Sequence, residues 1–447
     1  MPEHDDTIVA ISTPPGRGGI GIVRLSGPQA RAIAEPLLKL RHPLAPARAR
    51  FAEILDSTGE TLDEAVVTFF EKPHSYTSED IVEIAAHGSP VLLDYLLRQC
   101  IAVGARLAEP GEFTQRAFLS GRLDLTQAEA VNDLIEASTL HQARIAAQQL
   151  GGSLSRQITP IKQQLIALIA ALEAGIDFAE DDIDTLPASE ITTQITEIQT
   201  PLAALEKTFA YGRIVHDGFT LAIVGRPNVG KSSLFNRLVQ RDRAIVTATP
   251  GTTRDLIIER VSLDGIPVEL IDTAGLREST NEAETMGIAK SREAMAEADV
   301  VLLVLDATEP IHKEDEAAIA ALENRHFLIV INKLDLAPTA SLQHPALPTS
   351  ALTGAGIPKL RHAILSLLTK EAPPTETALL TNLRQQQAVS SSLTTLYRAQ
   401  QAAASTIPHE MILLDLYEAL HALDALTGTT TSDDILNLIF SKFCIGK

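Results

Sequence analysis

The chain has 447 residues, 45% of them hydrophobic and 4% aromatic, enough for about three globular domains with a helix-leaning interior. A formal net charge of −20 excludes a broad, self-sufficient nucleic-acid surface, which needs clustered Lys and Arg to release counterions, so any RNA contact is local or shared with a basic partner. Two cysteines (Cys100, Cys444), an acidic start without a leader pattern and a longest apolar run of only Leu165–Leu172 exclude disulfide scaffolds, thiolate metal clusters and membrane spans, and fit a reducing, cytoplasmic setting.

Residues 1–119 mix short β-like runs (Thr7–Ile11, Ile20–Leu25, Ala65–Phe70) with helical stretches such as Val91–Cys100, which predicts a compact α+β domain. Within it, Gly16-Arg-Gly-Gly-Ile-Gly21 formally fits a dinucleotide fingerprint, but β-like Ile22-Val-Arg-Leu25 follows where that fingerprint needs a helix. From 120 to 217 apolar residues recur at three and four, and Leu154, Ile158, Ile161, Leu165, Leu168 and Leu172 line one helical face. The pattern returns over 372–447. Between these helical halves, residues 218–371 carry nucleotide motifs, so the expected architecture is multidomain α/β: an N-terminal α+β domain, a discontinuous all-helical domain, and an inserted doubly wound P-loop G domain. Insertion at a surface connection is well tolerated. The terminal Cys444-Ile-Gly-Lys447 lacks the aliphatic and terminal residues that prenylation selects.

The apolar run Thr220–Val224 leads directly into Gly225-Arg226-Pro227-Asn228-Val229-Gly230-Lys231-Ser232, a phosphate-binding loop in the strand-to-helix setting it requires. Backbone N–H groups there point at phosphates, Lys231 neutralises the outer ones, the Ser232 hydroxyl suits magnesium, and Ser233 starts the helix. Gly251-Thr252-Thr253-Arg254 is a turn-rich loop whose Thr253 hydroxyl suits the same ion. Val268–Ile271 reads as a strand ending in Asp272-Thr273-Ala274-Gly275, where the carboxylate serves the magnesium water shell and Gly275 N–H faces the γ-phosphate. Phe327–Ile331 runs into Asn332-Lys333-Leu334-Asp335. The Asp335 carboxylate matches guanine N1–H and the 2-amino group, donors that adenine lacks there, which selects GTP over ATP. Thr349-Ser350-Ala351-Leu352 fits a fifth element packing on the guanine.

Leu276 stands where small regulatory GTPases place a water-orienting glutamine, so hydrolysis needs another arrangement. Asn228 is suited to hold a monovalent cation that spreads positive charge over the phosphates, and Glu284 to order the attacking water. Each also reads plainly as a turn residue and a solvated acid, and these residues alone leave both open.

Taken in order, Thr13–Arg24, Ser75–Glu83, Pro110–Phe118, Leu123–Ala130, the nucleotide motifs and Phe443–Lys447 resemble the MnmE (TrmE) family of tRNA modification GTPases over essentially the whole chain. The resemblance implies a homodimer that acts with the FAD-dependent partner MnmG, as a heterotetramer, on carbon 5 of wobble uridines in certain tRNAs. It implies a tetrahydrofolate one-carbon donor (5-formyl- or 5,10-methylene-), and GTP hydrolysis driven by potassium-dependent pairing of G domains. It also implies GTP contacts along Thr247-Ala248-Thr249-Pro250-Gly251-Thr252-Thr253, potassium at Asn228, Thr247, Thr249 and Thr252, and water ordering by Glu284. For folate it points to Arg24, Glu83, Arg122 and Lys447, residue types that suit a pterin and an anionic tail. Position 122 is often Lys in this family, and Arg keeps the charge with a different geometry. Cys444 is a thiol for which attack on the uridine ring comes into question, although nothing in the sequence lowers its pKa. A regulatory GTPase of ribosome assembly is the competing reading; such proteins usually add a basic RNA-binding domain, whereas here a helical segment ending at Lys447 follows.

Overall fold

The computed structural model describes residues 5–177, 186–239, 257–272, 298–336, 344–368, 378–405, 407–429, 436, 439–441 and 443–446. They fall into two compact units, one of 1–132, 149–159 and 420–447, the other of 133–148 and 160–419.

The first unit is built on a seven-stranded sheet: β1 (Ile8–Ile11), β2 (Gly18–Ser26), β3 (Leu38–Leu40), β4 (Arg48–Leu55), β5 (Thr61–Phe70), β6 (Ile81–Gly88) and β7 (Arg106–Leu107), in the order β3-β4-β5-β6-β2-β1-β7. The pairings are antiparallel except β1 with β7. Along β4 and β5, Ala52, Ile54, Ala65, Val67 and Phe69 are buried at every second position, and they meet α1 (Ala30–Ala34) and α2 (Pro90–Ala102) through Ile33, Leu93 and Leu96. One face is thus core, the period-2 signature of a half-covered antiparallel sheet. Gly18-Gly-Ile-Gly21 lies inside β2, so two of the three glycines of the formal fingerprint, Gly18 and Gly21, are strand residues, and β2 runs on where a helix would be needed. α3 (Glu112–Leu119) and α4 (Leu125–Glu136) follow, and Phe118, Leu125 and Ala128 pack on Leu436, Phe440 and Phe443 from the far end of the chain.

In the second unit, β8 (Phe219–Val224), β9 (Ile257–Leu263), β10 (Ile266–Asp272), β11 (Val300–Asp306), β12 (Phe327–Asn332) and β13 (Ala346–Pro348) form a sheet ordered β13-β12-β11-β8-β10-β9. All pairings are parallel except the β9–β10 hairpin. Val300, Leu302 and Val304 enter one core cluster, and Val301, Leu303 and Leu305 the other. A strand apolar at every position is what a parallel strand covered on both faces demands. Each such side chain contributes about 1.5–3 kcal/mol by burial.

Helices α5 (Leu140–Leu150), α6 (Ser153–Asp177), α7 (Ala188–Glu206) and α8 (Phe209–Asp217) precede this sheet. All six predicted face residues of α6, Leu154 to Leu172, are buried. α7 buries Ile191, Ile195, Ile198, Leu202 and Leu205 at alternating steps of four and three. It packs along the helix Leu383–Ala404, which buries Val389, Leu393, Leu396, Ala399 and Ala403 and is capped by Asn382 accepting from Gln385 N–H at 2.9 Å. Matching stripes at this spacing are how two long helices zip together.

Candidate functional site

β8 ends at Val224 and α9 (Lys231–Val239) begins seven residues later, so Gly225–Gly230 must turn tightly at the carboxyl edge of the sheet. Asn228 adopts a left-handed φ of 66° and is exposed, while Val229 is anchored in the core. Lys231 is buried, and its Nζ donates to the Gly225 and Arg226 carbonyls at 2.8 and 2.7 Å. Its charge is thereby held over the curl of the loop, where phosphates bind in P-loop proteins. Ser232 and Ser233 are exposed on the first helical turn. The loop is pinned from outside by Arg226, whose Nε donates to both Asp315 carboxylate oxygens at 3.1 Å and whose Nη2 donates to Glu309 at 2.9 Å. The motif leaves position 226 unspecified, so its spacing carries no signal for that tether.

The Asn332–Asp335 loop is tied to the same place. Asn332 Nδ2 donates to the Val229 carbonyl at 3.0 Å, and its Oδ1 accepts from Ala351 N–H at 3.0 Å. Ser350 Oγ donates to the Asp335 carboxylate, and Leu334 N–H to the Thr349 carbonyl at 3.1 Å. One buried amide therefore bridges phosphate loop, Asn332–Asp335 loop and Ser350–Ala351. Lys333, with φ 66°, reaches Asp306 at 2.6 Å. Burial pushes the Asp306 carboxyl up, but hydrogen bonds from Lys333 and Thr308 outweigh it and hold the group below its ordinary value. Sequence reasoning missed Asp306; its signal was the apolar run Val300–Leu305 ending in an acid, as Val268–Ile271 ends in Asp272.

β10 places Asp272 at a strand end beside Ile223 of β8, next to the phosphate loop. The exposed Ser232 hydroxyl is a hard oxygen donor of the type that magnesium takes. Thr247, Ala248, Thr249, Pro250, Gly251, Thr252, Thr253, Thr273, Ala274, Gly275, Glu284 and Lys447 lie outside the described residues.

A second cluster forms in the N-terminal sheet. β2 and β6 pair so that Arg24 and Glu83 are directly opposite, with Arg24 Nη2 2.8 Å and Nε 2.9 Å from Glu83 Oε1. The Arg24 guanidinium lies 5.9 Å from the Tyr76 ring centroid and 5.6 Å from that of Phe113, while Arg122 lies 5.7 Å from Tyr76. Burial raises the Tyr76 phenol above its ordinary pKa, and its OH pairs with Thr114 Oγ1 at 2.9 Å. The end of the chain reaches the same cluster: Ile445 bridges Pro110, and the Gly446 carbonyl accepts from Ser12 Oγ at 3.0 Å and Arg24 Nη1 at 3.4 Å. Gly446 has φ 96°, and a Cβ there would stand 2.6 Å from the Ile11 carbonyl oxygen, so only glycine lets the tail lie this close. Arg24, Glu83 and Arg122 are brought together; Tyr76 and Phe113 were not foreseen, because aromatic residues in isolation read as core.

The Ser75–Glu83 and Pro110–Phe118 stretches also have a scaffold role. Arg116, 2% exposed, pairs with Asp6 at 2.8 Å, Glu112 at 2.9 Å and Glu79 at 3.2 Å. Cys100 is buried, which pushes its thiol up to about 12, and Cys444 is exposed. Among the described residues no cluster of His, Cys, Asp and Glu is arranged to hold a metal by itself, and no helix is long and apolar enough to cross a membrane.

A family model described as MnmE helical domain matches residues 125–444, and one described as GTP-binding protein TrmE N-terminus matches residues 7–122. The tRNA modification GTPase MnmE of Koribacter versatilis is 60% identical over 451 residues, covering 99% of each chain. Those of Chloroflexus aurantiacus and Aquifex aeolicus are 42% and 41% identical, each over 99% of this chain and 100% of the relative. On these matches the chain belongs to the MnmE (TrmE) family of tRNA modification GTPases.

Proposed function

We propose that this protein hydrolyses GTP to drive modification of carbon 5 of the wobble uridine in certain tRNAs, adding an aminomethyl or carboxymethylaminomethyl group together with an FAD-dependent MnmG partner. The observation that carries the nucleotide half is the Asn332 bridge, which joins the phosphate loop at Val229 to Ala351. The Asp335 carboxylate beside it discriminates guanine by accepting from donors adenine lacks. Full-length similarity to relatives named tRNA modification GTPases supports the substrate.

In this reading the chain comprises a dimerising folate domain (1–119), a discontinuous helical domain (120–217 and 372–447) and an inserted G domain (218–371). Lys231 draws charge from the γ-phosphate, backbone N–H groups of the loop and of Gly275 hold its oxygens, and Glu284 orients the attacking water. Magnesium at Ser232 and Thr253, and potassium at Asn228, Thr247, Thr249 and Thr252, supply positive charge to the phosphates. The exposed, left-handed Asn228 fits that role. Arg24, Glu83, Arg122 and Lys447 hold the tetrahydrofolate: a carboxylate for the pterin amino face, cations for the glutamyl tail, and Tyr76 and Phe113 as aromatic walls. The partner completes a heterotetramer with the homodimer.

Steady-state GTP hydrolysis in potassium against sodium tests the mechanism, with wild type beside Asn228→Ala and Glu284→Ala. Strong potassium stimulation lost in both variants is expected. Equal rates in the two salts, or a fully active Glu284→Ala, would overturn it.

A further inference from the structure

The β9–β10 hairpin ends, at the carboxyl end of β10, on Asp272, which pairs with Ile223 of β8 just before the phosphate loop. Its strands pair from Leu263↔Ile266 at the turn to Ile257↔Asp272 at the far end, seven residues or roughly 20 Å away. The turn is Asp264-Gly265, both with positive φ (51° and 89°), a tight two-residue connection. That turn rests on the segment before α5. Thr139 Oγ1 donates to the Gly265 carbonyl at 2.6 Å, and a Cβ on Gly265 would come within 2.7 Å of His141 Cβ. His141 is held from behind by Tyr211 of α8, with Nε2 3.1 Å from the phenol oxygen and the rings edge to face.

The segment itself is held by contacts of its own. Thr139 caps α5: its hydroxyl accepts from Gln142 N–H at 3.1 Å, and Gln142 Oε1 accepts from Thr139 N–H at 3.2 Å. Gln142 Nε2 donates to the His216 carbonyl at 2.9 Å, and Ile145 packs on the core that contains Val261, Leu263 and Ile266. A cap requires only that the Thr139 oxygen accept. The proton it donates to Gly265 does nothing for the helix and fixes the hairpin.

We propose that Thr139 and His141 are positioning residues for GTP hydrolysis: they seat the hairpin turn, and the paired strands carry that position along the ladder to the end of β10 at Asp272, beside Ile223 of β8. A helical segment outside the nucleotide site thereby sets its geometry, and by linkage nucleotide state is felt at that segment. The proposal rests on the GTP-site reading above.

The cap and the seat separate by substitution in the full chain. Thr139→Ser keeps acceptor and donor; Thr139→Asp keeps the capping acceptor and loses the donor. Expected are wild-type behaviour for Thr139→Ser, and for Thr139→Asp and His141→Ala a kcat for GTP lowered roughly tenfold with KM within about twofold, because misplacement affects the chemical step more than binding. Amide exchange across Ile266–Asp272 should quicken in the same two variants. A wild-type kcat in Thr139→Asp, a loss confined to KM, an equal loss in Thr139→Ser, or unchanged exchange of the hairpin would each overturn the proposal. Absence of turnover in the wild type would count against the GTPase reading instead, and exchange would still test the seat.

Discussion

The two sheets carry their candidate sites by different means. In the parallel sheet, Gly225–Ser232, Asp272, Asn332–Asp335 and Ser350–Ala351 all sit where strands end, and much of their work is done by backbone groups within short contiguous stretches. In the antiparallel sheet, Arg24 and Glu83 come from two strands, Tyr76 and Arg122 from outside the sheet, and Gly446 from the chain's far end. A site made of loop backbone leaves a motif. A site made of side chains crossing a sheet leaves single residues hundreds of positions apart.

If the two sites are separate, each should fail alone. The largest effect is expected for Lys231→Ala, which should lower kcat/KM for GTP by roughly a hundredfold or more while leaving 5-formyl-tetrahydrofolate binding intact. Hydrolysis assays beside calorimetric folate titration decide this, and a parallel loss of folate affinity would break the comparison. Next is Arg24→Ala, which strips Glu83 of its partner in a half-buried place. Folate affinity should fall by about 1.5–3 kcal/mol with GTP turnover unchanged, and Arg24→Lys should recover only part, because it loses the forked geometry.

The smallest effect concerns the join between α8 and β8. His216 lies 3.0 Å from Asp133 and 2.7 Å from Asp217, and these hydrogen bonds, against the opposing effect of burial, raise its pKa to about 10. With the folded value above the unfolded 6.5, the stabilisation is fully present below about pH 6.5 and is lost as pH rises through about 10. Thermal unfolding of the wild type should therefore show a midpoint declining between pH 7 and 10 that is flatter in His216→Gln. An identical slope in the variant would remove His216 from the account.

Much of the fold is legible because burial imposes periods. The face from Leu154 to Leu172, the strands at Thr7–Ile11 and Phe327–Ile331, and the helix at Val91–Cys100 stand within a few residues of where spacing predicts them. β4, β6, β9 and β11 were not singled out: β4 is rich in Arg and Ala, and the uniformly apolar β11 has no alternation to count. The same logic divides the sites.

By itself the sequence determined the glycine-rich loop Gly225–Ser232 and the Asn332–Asp335 motif, because each needs specific residues at fixed short spacings whose conformation is local. Only the tertiary structure decided that Asn332 locks those two stretches together, that Arg226 is tethered to Glu309 and Asp315, that Tyr76 and Phe113 face Arg24, and that Thr139 seats the turn at Gly265. Those contacts join residues far apart in the chain, and such pairings are set by how whole elements pack, which no local pattern encodes.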